Sequence, residues 1–294
     1  MKVAVVGIGV MGAAIAGRLL DSGAQVHVFD VLPGKAKGLV ERGAALAGSA
    51  RDAAAEVDFL ITSLNTAATI EQAVFGPEGV AEAASPAKVL VDMSSIDTGR
   101  SVYMAMRLLS ETGMGWVDAP LSGGAPAARD GNLTLMVGGH DEHVQRVLPL
   151  LELLSRHFTH FGAPGSGQTV KSINQILCAS YFLAVAEAVR FAEDHGVDAT
   201  RIPAALAGGR ADSRILQEFM AKMARRDFTP TGRIDNMLKD LETIEAASLT
   251  RLPVTGLITE LHRNLVSAGL GASDSAEYIK LFDMAHVFPL ARPK

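Results

Sequence analysis

Cysteine is nearly absent: Cys178 is the only one in 294 residues. An internal disulfide framework is therefore excluded, and the composition fits a reducing compartment. Cys178 lies in an apolar stretch, so buried packing is expected of it rather than reactivity. Aromatic residues are also scarce at 5%, which leaves the core to Ala, Val, Leu, Ile and Met. No basic block exists: 27 Lys and Arg against 32 Asp and Glu give a net charge of −5, scattered along the chain. Nothing there could neutralise a run of phosphates, so no nucleic-acid partner is expected. Long apolar runs are missing too. The longest uncharged apolar stretch, 176–186, has 11 residues, against roughly 18 for a membrane span, and no membrane association is expected. The opening MKVAVVGIGVMG is broken by glycines too early for a secretory signal, which points to the cytoplasm. The eight histidines include no H-x-x-x-H, so no metal is expected.

What the chain does have is apolar content, at 48%, and order in its distribution. Val3–Val6, Gln25–Asp30, Phe59–Ser63, Val89–Asp92 and Trp116–Asp118 are short apolar runs of the kind that form buried strands. Between them, Met11–Leu20 and Thr98–Ser110 repeat apolar residues at helical spacing. Strand-helix-strand alternation predicts a parallel sheet covered on both faces. A further pair of strands is predicted at Leu133–Val137 and His157–Phe161, flanking a helix over Glu142–Leu154. After FGAPGSG (161–167) the remainder is helical, beginning with a long helix from about Gln168 to His195. That helix is apolar on nearly every side, which predicts burial all round. The expected fold is α/β: a doubly wound, mostly parallel sheet over 1–163, followed by an all-helical domain over 164–294.

Gly7-Ile8-Gly9-Val10-Met11-Gly12 fits G-x-G-x-x-G, following one predicted strand and opening a predicted helix. In that context Gly7 permits the tight turn and Gly9 lets backbone N–H groups approach a pyrophosphate. Gly12 allows close helix–strand packing, with the anion at the helix N-terminus. Asp30 ends the second strand, 18 residues after Gly12, where a carboxylate would accept hydrogen bonds from an adenosine ribose. An acid there repels the 2′-phosphate of NADP, so NAD is the preferred cofactor and NADP the second, with Lys35 and Lys37 close enough in sequence to weaken the preference.

Three further stretches complete a pattern. DAPLSGGAPAARDGNLTLMVGG (118–139), GSGQTVKSINQ (165–175) and LKDLETIEAA (238–247) follow the glycine fingerprint in order along the chain. Together they resemble the β-hydroxyacid dehydrogenase family, which includes 3-hydroxyisobutyrate dehydrogenases and tartronate semialdehyde reductases. The resemblance implies a Rossmann domain, a helical domain that takes part in dimerisation, and usually a homodimer or homotetramer. It implies that Ser122, Gly123 and Gly124 bind a substrate carboxylate, that Lys171 is the catalytic residue, and that Asn174 supports it. Gln175 stands where 3-hydroxyisobutyrate dehydrogenases usually carry a second Asn, and the Lys-x-x-Asn-Gln form is more like tartronate semialdehyde reductases. Lys239 matches a residue that closes over the cofactor from the helical domain, with Asp240 beside it. Ser95 matches a nicotinamide-ribose contact, and Leu64-Asn65 a cofactor loop that here lacks its usual proline. Asp212-Ser213-Arg214 falls where members often carry small polar residues.

The residues themselves agree with parts of this. Successive N–H groups in a glycine turn form an anion-binding concavity, and the Ser122 hydroxyl adds a donor. Positions 171, 174, 175 and 178 share one helical face. A lysine buried near a helix N-terminus loses solvation and meets the positive end of the dipole, both of which favour the neutral amine. The expected activity is reversible hydride transfer between NAD(P)(H) and a small 3-hydroxy acid or its semialdehyde. Tartronate semialdehyde (2-hydroxy-3-oxopropionate) reduction is the first choice and 3-hydroxyisobutyrate oxidation the alternative. A non-catalytic cofactor-binding scaffold is the rival of a different class.

Overall fold

The computed structural model describes residues 1–283. The strands are β1 (Lys2–Val6), β2 (Gln25–Phe29), β3 (Ala45–Leu46), β4 (Phe59–Thr62), β5 (Val89–Asp92), β6 (Gly115–Asp118), β7 (Leu121–Ser122), β8 (Leu133–Gly139) and β9 (Ser155–His160). The helices that carry the argument are α1 (Val10–Asp21), α2 (Thr98–Thr112), α3 (Gly124–Arg129), α4 (Asp141–Leu154), α5 (Ser166–Asp194), α6 (Arg214–Arg225), α7 (Ile234–Ala247) and α8 (Pro253–Leu265).

The sheet runs β3-β2-β1-β4-β5-β6-β8-β7, with β9 added beside β8. Pairing is parallel from β3 to β6, while β8 runs antiparallel to β6 and β7. The order reverses between β1 and β4. Two loops therefore leave the sheet in opposite directions at their carboxyl ends and open a crevice, the usual ligand position of doubly wound sheets. Alternate residues feed two separate cores: Val3, Val5, Ile61 and Val91 on one face, Ala4, Val6, Leu60 and Leu90 on the other. That two-sided burial explains why these strands are continuous apolar runs in the sequence.

The chain divides into compact units at Lys171/Ser172, inside α5. The sequence placed the boundary before this helix. The difference has a physical cause, because the first turn of α5 is hydrogen-bonded into the first unit through Asp118 and Ser94. The second unit, described over 172–283, is helical and has its own core of Ala179, Phe182, Val189, Met220, Leu241 and Tyr278, among others. Within it, buried His262 joins Nε2 to the Tyr278 hydroxyl at 2.8 Å.

One expectation fails. The long helix is not buried all round: Ile173, Leu177, Tyr181 and Phe191 are exposed, Phe191 by 65%. The helices packed on α5 in its own unit cover one flank, through residues such as Phe182, Val185 and Val189. Cys178 is half-buried and accepts from the Asn174 side-chain amide at 3.5 Å, rather than serving as fully buried filler. By length and composition α5 could cross a membrane, but here one flank carries the second unit's core.

Candidate active site

The glycine loop closes the C-terminal end of β1. Gly7 has φ +96°, and a Cβ there would strike the Ser63 carbonyl oxygen at the end of β4. A Cβ on Gly12 would overlap the Gly7 carbonyl. Gly9 differs: its hypothetical Cβ meets nothing within 4 Å. The protein itself therefore does not require glycine at position 9, whereas a ligand lying against the backbone would. Gly9 caps α1 with no side-chain hydrogen bond, and the first turn carries no acid. The positive end of α1 is thus left for an anion. These features fit a dinucleotide pyrophosphate, with Val10 exposed beside them and Met11 and Leu64 lining the turn.

Asp30 is buried immediately behind this loop. Its Oδ2 accepts the Ile8 N–H at 2.8 Å and its Oδ1 the Leu32 N–H at 2.9 Å. The Lys35 ammonium lies 3.3 Å from Oδ1. The carboxylate thus ties β2 to the glycine turn, and Lys35 offsets part of its charge.

Two buried carboxylates escaped the sequence reading. Asp92, at the end of β5, accepts the Thr62 hydroxyl at 2.8 Å and the Ser94 N–H at 3.1 Å on Oδ1. Burial pushes its pKa up to about 6, and its Oδ2 has no partner among the described residues. Asp118, at the end of β6, accepts Gly165 N–H at 2.8 Å and Gln168 N–H at 3.0 Å, and so caps α5 from a distance in sequence. Burial raises its pKa as well, against the opposing effect of these backbone bonds. The signal available in the sequence was an acid closing each apolar strand. Their distant partners, 30 to 50 residues away, could not be read from spacing.

Asp118 opens the loop that leads to Ser122. Gly123 and Gly124 follow with φ +118° and +69°, a left-handed pair that only glycine adopts at low cost. Ser122 is half-buried and both glycines are exposed. Lys171, half-buried on the first turns of α5, donates from Nζ to the Leu121 carbonyl at 2.8 Å. Its ammonium is therefore held one residue from Ser122. Ser95 is half-buried in the β5 loop and Asn65 is exposed after β4.

In the helical unit, the Gln175 amide donates to Asp240 Oδ2 at 2.6 Å. Asp240 Oδ1 lies 3.0 Å from the Lys239 ammonium, and Asn174 donates to Gln175 Oε1 at 2.9 Å. Asn174, Gln175, Asp240 and Lys239 form one polar chain between α5 and α7, and Asp240 joins its two halves. Asp212, Ser213 and Arg214 do local work instead: Asp212 accepts the Gly208 N–H and the Gln217 amide, Ser213 caps α6, and Arg214 pairs with Glu218. Among the described residues no three His, Cys, Asp or Glu side chains gather as a metal site.

Residues 2–162 match a family model described as the NAD binding domain of 6-phosphogluconate dehydrogenase. Residues 165–282 match one described as the NAD-binding domain of NADP-dependent 3-hydroxyisobutyrate dehydrogenase. The chain is 36% identical to 2-hydroxy-3-oxopropionate reductase of Escherichia coli (strain K12), over 97% of its own length and 98% of that protein's. It is 32% identical to NAD-dependent L-serine dehydrogenase of Pseudomonas aeruginosa, over 96% and 98%. A Mycobacterium tuberculosis 3-hydroxyisobutyrate dehydrogenase structure with L-serine superposes with a TM-score of 0.86 at 29% identity, covering 96% of this chain and 98% of that one. With a nicotinamide-cofactor cradle in its first unit and these likenesses along its whole length, the chain belongs to the β-hydroxyacid dehydrogenase family of NAD(P)-dependent oxidoreductases.

Proposed function

We propose that this enzyme reduces tartronate semialdehyde (2-hydroxy-3-oxopropionate), reversibly, with Lys171 moving the proton. The observation that carries the reading is the 2.8 Å bond from Lys171 Nζ to the Leu121 carbonyl, which fixes the amine beside Ser122-Gly123-Gly124. A nicotinamide held by the glycine loop and Asp30 would supply or accept the hydride. The backbone N–H groups of Gly123 and Gly124 and the Ser122 hydroxyl hold the substrate carboxylate. With the carboxylate held there, the carbonyl oxygen two carbons away lies within reach of the Lys171 ammonium, which donates its proton on reduction and recovers it on oxidation. By the family motif, Asn174 and Gln175 are assigned to the substrate, and Lys239, paired with Asp240, to the cofactor. The Lys-x-x-Asn-Gln form and the 36% likeness to 2-hydroxy-3-oxopropionate reductase support this substrate. The second reading, 3-hydroxyisobutyrate dehydrogenase, is supported by the TM-score of 0.86.

A substrate panel run with NADH and NADPH tests both readings. Tartronate semialdehyde is expected to have the highest kcat/KM, on the Lys-x-x-Asn-Gln form and the 36% likeness to 2-hydroxy-3-oxopropionate reductase. NADH is the expected cofactor, on Asp30, and Lys35→Ala should widen that preference about threefold by uncovering the carboxylate's charge. A higher kcat/KM for methylmalonate semialdehyde would assign the second reading, and no turnover of any hydroxy acid would leave a cofactor-binding scaffold. A homodimer or homotetramer is part of the same proposal, supported by the exposed Ile173, Leu177, Tyr181 and Phe191 along α5. Light scattering should give two or four chain masses, and a monomer at micromolar concentration would refute the assembly.

A further inference from the structure

The first turn of α5 makes a contact that the reaction scheme above leaves unused. Gln168 is 1% exposed. Its Nε2 donates to the Ser94 carbonyl at 2.8 Å, and its Oε1 accepts the Ile96 N–H at 3.2 Å. The two bonds bracket Ser95 on both sides. Only one amide orientation satisfies them, since the reverse would set donor against donor and acceptor against acceptor. The backbone N–H of the same residue is held by Asp118. Ser94 in turn donates its N–H to Asp92 and accepts the Leu64 N–H on its hydroxyl at 3.0 Å. The ends of β4, β5 and β6 are thus linked to one residue, three positions before Lys171. The seat is rigid as well. A Cβ on Gly138 would come within 2.7 Å of the Gly167 N, and one on Gly167 would strike the Met136 carbonyl.

We propose that Gln168 is a positioning residue, which locks the Ser95 loop to the start of α5 so that nicotinamide ribose and Lys171 keep a fixed separation. The inference rests on the reading of Lys171 as the proton-transfer group. A strap of this kind acts more on the reaction than on cofactor affinity, because the glycine loop and Asp30 lie outside it and only the Ser95 and Leu64 contacts are disturbed. A misplacement of about 1 Å can cost on the order of 10²-fold in rate.

Two variants test it. Gln168→Met keeps length and removes both bonds. It should lower kcat about 10- to 100-fold, while the dissociation constant for NADH, read by fluorescence titration, moves less than about threefold. Gln168→Glu gives a readout that simple packing would not. When protonated, the introduced carboxyl offers one donor and one acceptor in the amide's places. When ionised, it has no donor and turns its charge on the Ser94 carbonyl. The ratio of variant to wild-type kcat should therefore rise as pH falls. Using the ratio cancels titration of the neighbouring Asp92 and Asp118 in the native protein. If Gln168→Met fails to fold, the pH series of Gln168→Glu decides alone. Wild-type kcat in Gln168→Met, or a Gln168→Glu ratio that does not change with pH, overturns the strap. Lys171→Ala run in parallel separates the two ideas. An active Lys171→Ala with an impaired Gln168→Met removes the lysine reading, and the opposite pair removes the strap.

Discussion

Lys171→Ala is expected to lower kcat by about 10²–10⁴-fold, the usual worth of a positioned general acid/base. Cofactor affinity should survive, because the glycine loop and Asp30 lie at the ends of β1 and β2 while Lys171 is held at the Leu121 carbonyl. Lys171→Arg should not rescue activity. A guanidinium keeps its proton at working pH, and its fork does not reproduce a single ammonium aimed at the Leu121 carbonyl. The pH–rate profile for oxidation should lose the limb that deprotonation of this amine contributes. Steady-state kinetics in both directions, with a titration of NADH, give these quantities. Near-normal turnover in Lys171→Ala with an unchanged profile would mean that another group moves the proton.

Gly123→Val should lower kcat/KM by about 10²-fold or more, with binding energy to the substrate carboxylate lost and cofactor affinity nearly unchanged. Two effects add. At φ +118°, a β-branched side chain is strained wherever it points, a cost of order 1–3 kcal/mol. Its Cβ would also stand 2.7 Å from that of Ala127 on α3, so the turn must open. Each 1.4 kcal/mol is tenfold, and a turn that no longer presents two N–H groups to an anion also loses the interaction itself. Ser122 is paired with Thr134 in the sheet and should keep its place, which confines the damage to the loop. Substrate and cofactor affinities lost together would point to misfolding, and equal activity on substrates lacking a carboxylate would refute the anion site.

What was legible in the sequence was legible for local reasons. β1, β4 and β5 are buried on both faces, so they read as unbroken apolar runs, and α1 and α2 repeat at helical spacing. The glycine loop and Asp30 are conspicuous because backbone geometry at one turn dictates the residue type. The doubly wound fold and the family followed from that local chemistry taken in order.

Tertiary structure decided the rest. β8 turns antiparallel to β6, and β3 and β7 have only two residues each, too few to show a period. Asp92, Asp118, Gln168 and Asp240 each have a partner between 30 and 74 residues away. Spacing along the chain says nothing about which acid will meet which amide across a sheet. The long helix shows the same limit from the other side: its sequence is apolar around most of its circumference, yet Phe191 stands exposed. Composition determines that a helix can be buried. Which flank is covered depends on how many neighbours the fold brings to it, and that is a property of the packed chain.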